Sequence, residues 1–197
     1  MRKRIILIIM ILSTSFFTTS CFNYADINRT MFVTSMLINI DNDNNVTLYV
    51  ENFVPSRGDT LEVGKENKSI QISSGSNLYD AARNLRLNSS FTINYTQCRA
   101  IIFTTKAASF GIDNFIDLFD RGQELPQRSY VFITPSDPEK ILKVEMKEEK
   151  FVGIFLSELA ENMVKTPHGT ALRIDEFFNN RLLGSKVNVI NLIELKK

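Results

Sequence analysis

Two strand-forming runs split by a cluster of turn formers constrain this chain more tightly than any other feature. Phe32-Val33-Thr34-Ser35-Met36-Leu37-Ile38-Asn39-Ile40 is dense in β-branched and large apolar residues, and Val46-Thr47-Leu48-Tyr49-Val50-Glu51-Asn52-Phe53 alternates with period two. Between them, Asp41-Asn42-Asp43-Asn44-Asn45 supplies side chains that bond back to nearby backbone and tolerate left-handed conformations. The pattern predicts a β-hairpin. The same residues imitate the start of a calcium loop at Asp41, Asp43 and Asn45. Such a loop needs Gly at its sixth place and Glu at its twelfth, where this chain has Val46 and Asn52, so no metal site is expected there.

Pro55 to Lys68 is polar, carries Gly58 and Gly64 and lacks periodicity, which predicts a loop before a short strand at Ser69–Ser73. Ser76 is placed to cap a helix whose apolar face is Leu78, Ala81, Ala82 and Leu85. Ala100–Phe103 reads as a central strand, and Ala107, Ala108, Ile112, Phe115, Ile116 and Phe119 mark a helical stretch interrupted near Gly111. Tyr130–Ile133 is a second buried strand, and Asp137-Pro138-Glu139 starts a helix. A longer amphipathic helix is expected over Phe151–Val164, ended by Thr166-Pro167-His168-Gly169. Ile174, Phe177, Phe178, Leu182 and Leu183 predict another helix, and Val187–Leu195 a final strand. The fold class that follows is α+β: a mixed sheet with an N-terminal hairpin, covered by amphipathic helices.

The chain opens with Arg2, Lys3 and Arg4, then an apolar run from Ile5 to Leu12 and small polar residues, which is the layout of an export signal. That run is far shorter than the roughly 20 residues a spanning helix needs. The segment ends in Thr18-Thr19-Ser20-Cys21. Bacterial lipoprotein signals close on such a box, a small residue before the Cys that is lipidated and becomes the new N-terminus. Cys21 is therefore the expected lipidation site, and acyl chains there, at about 0.8 kcal/mol per buried methylene, fasten a protein to a bilayer. Residues 1–20 are expected to be the signal peptide, 21–170 an α+β domain, and 171–197 the start of a second domain.

Loss of residues 1–20 removes three cations and no acid, leaving 20 Lys and Arg against 22 Asp and Glu. A nearly neutral protein has no basic face with which to displace counterions from phosphates, so nucleic acid is not an expected partner. Cys98, beside an apolar run, reads as core and not as the disulfide partner of Cys21. The single histidine, His168, sits in a turn with no acid or thiol cluster. No Gly-x-Ser-x-Gly elbow, Cys-x-x-Cys pair or glycine-rich phosphate loop occurs, so neither catalysis nor a cofactor is expected. Asp120, Arg121, Glu124 and Arg128 gather both charge signs in one helix-to-strand connection, and are expected to fix that connection first and touch a partner second.

The assembled pattern resembles the Ger(x)C lipoproteins, the C subunits of bacterial nutrient germinant receptors in spores. The resemblance rests on Cys21 followed by Asp26-Ile27-Asn28 and the first strand, on Leu78-Tyr79-Asp80-Ala81-Ala82-Arg83, and on Ala107-Ala108-Ser109-Phe110-Gly111-Ile112 through Phe119-Asp120-Arg121. Glu124, Arg128, Tyr130–Ile133 and Ile141-Leu142 continue it. Phe22-Asn23 departs from the family's usual Trp-Asp after the Cys, and full members are longer. What the resemblance implies is a non-enzymatic subunit anchored on the outer face of the spore inner membrane, beside the integral membrane A and B subunits. Arg83, Gly111, Asp120, Arg121, Glu124 and Arg128 are the positions it marks for structural or partner contacts. The alternative reading is a lipid-anchored solute-binding module serving a membrane transporter; the sequence leaves open whether any small molecule touches this chain.

Overall fold

The computed structural model describes residues 3–6, 29–55, 67–115, 119, 127–167, 169–184 and 187–195. Cys21, Asp120, Arg121, Glu124 and His168 lie outside them. The expected hairpin is present as β1 (Thr30–Ile40) and β2 (Val46–Val54), antiparallel with Ile40 opposite Val46. Its turn is built by Asp41, whose carboxylate accepts from the backbone N–H of Asp43 and of Asn45, both at 2.8 Å, and from Asn45 Nδ2 at 2.9 Å. Asn44 takes φ 62°, the left-handed conformation that Asn accepts more readily than most residues. The oxygens that imitate calcium ligands are thus spent on the turn itself.

β3 (Asn67–Gly75) pairs antiparallel with β2 and forms one edge. The chain then crosses through helix α1 (Leu78–Leu87) and a short strand, β4 (Thr92–Asn94), that pairs parallel with the start of β1. Central strand β5 (Ala100–Thr104) lies parallel to β1 and to β6 (Tyr130–Thr134), and β7 (Asn191–Leu192) lies parallel to β6 at the far edge. The sheet order is β3-β2-β1-β5-β6-β7, antiparallel on one side of β1 and parallel on the other. α2 (Thr105–Phe110) and a 3-10 turn (Ile112–Phe115) follow β5, whereas α3 (Pro138–Leu142), α4 (Val152–Val164) and α5 (Ile174–Leu183) separate β6 from β7. The mixed α+β fold expected from the sequence is the fold observed.

Both faces of the sheet are covered, which explains why β1 and β5 are apolar without alternation. On one face Met36, Ile38, Leu48, Val50, Ile101 and Phe103 pack under α1, the 3-10 turn and α5. On the other, Leu37, Ile102 and Phe132 pack under α3 and α4 through Leu142, Val152, Leu156 and Ala160. The residues beyond 170, where a second domain is expected to open, contribute Ile174 and Phe177 to the first core and pair β7 with β6.

Two local expectations are corrected. Asn77, not Ser76, caps α1: its side chain accepts from the Asp80 N–H at 2.9 Å, because Asn77 immediately precedes the first helical residue, while the Ser76 hydroxyl donates to the Asp80 carboxylate. The final strand is confined to Asn191–Leu192, the two residues that pair in register with β6. The interruption expected near Gly111 is present: the helical stretch after β5 is split there, at a φ of 111° that is barred to a helix.

Cys98 is buried in the first core, as expected, with its Sγ directed at the Ala100 carbonyl 3.6 Å away. Burial pushes the thiol pKa from 9.0 up to about 12. Above pH 9 the unfolded chain sheds this proton while the folded chain holds it up to about 12, so the unfolded state binds fewer protons and stability falls across that window. The slope from this one group is at most about 1.4 kcal/mol per pH unit. Urea unfolding of wild type and Cys98→Ala over pH 9 to 12 should show a steeper alkaline loss in wild type; parallel curves would refute the assignment.

Candidate functional site

The most concentrated polar chemistry in the fold is a carboxylate at the bottom of the second core. Glu51 stands on β2 with zero solvent exposure, on the face covered by α4. Opposite it, β1 carries an irregularity: Val33 pairs with Asn52 and Ser35 with Glu51, leaving Thr34 as an extra residue. Successive residues of a regular strand point to opposite faces, and a bulge relaxes that rule. Here it lets both neighbours serve one acceptor, Thr34 Oγ1 donating to Glu51 Oε2 at 2.6 Å and Ser35 Oγ at 3.1 Å.

α4 completes the cluster. Its N-cap position is Phe151, which has no side chain able to accept a hydrogen bond from the first helical N–H groups. Glu51 takes that role from another part of the chain: Val152 N donates to Oε1 at 2.9 Å and Gly153 N to Oε2 at 3.0 Å. Anionic oxygens at this end also complement the helix dipole. Lys68 of β3 closes the ring, its Nζ 2.9 Å from Glu51 Oε1 and donating to the Lys150 carbonyl at 3.2 Å. Gly153 is required by contact, since a Cβ there would lie 2.1 Å from the Thr34 carbonyl oxygen, itself held by Arg99 N at 2.8 Å. A carboxylate with two hydroxyl, two backbone and one ammonium partner is fully engaged, which suits it to hold β1, β2, β3 and α4 together.

Lys68 also borders an open cleft of about 780 Å³ between β3 and residues 143–150, the connection from α3 to α4. Ile70, Val144 and Met146 supply apolar lining, and Lys143, Glu145, Lys147, Glu148 and Glu149 a rim of mixed charge. Lys143 is paired with Glu139 across one helical turn, and this hydrogen bond raises its pKa.

The positions singled out from the sequence do not converge on this cluster. Arg83 is exposed on α1 and reaches Asp80 at 3.8 Å, an exposed pair of little energetic weight. Gly111 lies between α2 and the 3-10 turn, and Arg128 is exposed in the turn before β6. Glu51, Lys68, Thr34, Ser35 and Gly153 were not anticipated. Two signals for them exist in the chain. Tyr49 and Phe53 flank Glu51 on one strand face, which marks that face as covered. The long helix also starts at Phe151-Val152-Gly153 without a capping residue, so an acceptor had to come from elsewhere.

The family model of the spore germination protein N-terminal domain matches residues 23–195. The chain belongs to that family. No curated protein and no solved structure matches it. The match takes in every strand of the sheet and the whole Glu51 cluster, so the cluster is part of this germination-protein domain's own framework. Among the described residues no helix is long and apolar enough to cross a membrane.

Removing the carboxylate leaves a half-buried lysine, two hydroxyls and two helix N–H groups without their acceptor. Glu51→Ala should therefore cost about 3–5 kcal/mol, the range for breaking a buried ion pair from one side. Gly153→Ala gains about 1 kcal/mol of helix propensity. It should nonetheless lower the urea midpoint, because overpacking costs about 1–3 kcal/mol or more. A Gly153→Ala protein as stable as wild type would show that α4 does not sit against Thr34.

Proposed function

We propose that this germination-protein domain is a lipid-anchored, non-enzymatic subunit of a spore nutrient germinant receptor, acting in receptor assembly and germination signalling. The observation that carries the reading is the family match beginning at residue 23, directly after a lipoprotein box that ends at Cys21. Diacylglycerol on Cys21 holds the chain on the outer face of the spore inner membrane, beside the integral membrane A and B subunits. The chemistry of the fold is consistent with a scaffold. Among the described residues, the one fully buried carboxylate is engaged by five donors, and the buried thiol keeps its proton to about pH 12. Arg83, Gly111, Asp120, Arg121, Glu124 and Arg128 are proposed to hold the local fold and to meet the partner subunits secondarily.

A second reading, a solute-binding module serving a transporter, draws on the cleft beside Lys68, whose volume falls within the range of small-molecule sites. Its lining is unlike most such sites, with charged residues outnumbering apolar ones. A ligand of the folded state raises the melting temperature. Screening germinant nutrients, amino acids and sugars against the purified chain should give no shift under the receptor-subunit reading; a saturable shift abolished by substitutions at Ile70 and Met146 would favour the solute reading instead.

Mass spectrometry of the membrane fraction should find the diacylglycerol modification on Cys21, and Cys21→Ala should move the protein out of that fraction. Unmodified protein that stays on the membrane after Cys21→Ala would overturn the anchor.

A further inference from the structure

One end of the sheet gathers a set of aliphatic side chains in water. Leu182 is 84% exposed, Leu183 67%, Val187 88% and Val189 59%. Leu182 and Leu183 end α5, and Val187 and Val189 lead into β7. Topology fixes where they stand. β1, β4, β5, β6 and β7 are mutually parallel, so all of them begin at the same end of the sheet. α5 starts at that end, because Ile174 N donates to the Ser129 carbonyl and Asp175 N to that of Gln127, just before β6. Its second half stays there, since Asn188, close before β7, donates to the Phe177 carbonyl at 3.3 Å and accepts from Asn180 Nδ2 at 2.9 Å.

Thr30, the first residue of β1, lies at this same end, and Cys21 is nine residues upstream of it. Nine residues reach at most about 30 Å. If Cys21 is the anchor, as proposed above and on which this inference rests, the bilayer lies within that reach of the end carrying the aliphatic set. The nearby Arg181 is paired with Asp113 at 3.2 Å. Aliphatic residues grouped in water on a monomer mark an interaction surface. A lipid surface suits them because it takes methyl groups without demanding hydrogen-bond partners.

We infer that Leu182, Leu183, Val187 and Val189 form a bilayer-docking surface that dips into the boundary between lipid headgroups and acyl chains. The anchor holds the domain near the membrane; this surface sets which end faces it. Insertion at a second point restricts rotation about the lipid tether, so the rest of the sheet, including the cleft beside Lys68, is held at a defined height.

The chain contains no tryptophan, so a single introduced indole is an unambiguous reporter. Leu182→Trp and Val187→Trp substitute highly exposed positions, and Ile72→Trp places the probe on β3 at the opposite edge of the sheet. Each full-length variant is reconstituted in phosphatidylcholine–phosphatidylglycerol vesicles with and without brominated acyl chains. Emission from positions 182 and 187 should shift to the blue and lose most of its intensity with brominated lipid, while that from position 72 should not. Water-like emission at 182 and 187, equal quenching at all three positions, or a blue shift without quenching would each overturn the surface, the last by pointing to a protein cover. If the chain proves not to be lipidated, the anchor fails separately. Mixing the same variants with vesicles then decides the surface alone: selective quenching at 182 and 187 upholds it, and none overturns it.

Discussion

Glu51 is the constraint around which the rest of this fold is arranged. An ionised side chain in a protein interior is tolerated only where its desolvation is offset by donors placed in advance, and five are present here. Supplying them forces several features that otherwise look unrelated: a bulge at Thr34, a lysine on β3, a helix that starts without its own cap, and a glycine in that helix's first turn. Each is awkward by itself. Together they determine where α4 meets the hairpin, and through α4 they determine the second core.

The sheet is divided at β1. The antiparallel side, β1 to β3, comes from local chain reversals, whereas β5, β6 and β7 are added in parallel by connections that must cross the sheet faces. The crossings place helices on both sides, and that buries the central strands completely. One consequence is directional. Parallel strands share a starting end, so the first residue of β1 and the second half of α5 lie at the same end of the sheet.

Membership of the spore germination protein N-terminal domain family accounts for a domain whose polar interior is devoted to holding position. Cys98 is raised in pKa by burial, and the carboxylate of Asp41 is lowered by the hydrogen bonds of its own turn. The open cleft between β3 and the α3–α4 connection is rimmed by ion pairs and lysines in place of convergent apolar walls.

The hairpin, α1, β5, β6 and α4 were legible in the residues because each is decided within a few positions: period two for β2, the i, i+3, i+4, i+7 apolar face for α1, and unbroken apolar runs for the doubly covered strands. The family resemblance was legible for the same reason, since it rests on order and spacing along one chain. β4 and the true length of β7 were not, because strands of three and two residues carry no period and exist only where a neighbour offers its edge. The Glu51 cluster was hidden for a stronger reason. Thr34, Glu51, Lys68 and Gly153 are far apart in sequence, and although Tyr49 and Phe53 mark the face of Glu51 as covered, nothing on β2 names the donors that meet it. Local propensity settles which segments are helix and strand; only the packing of α4 over the sheet settles that this acid is buried, and that the helix needs it.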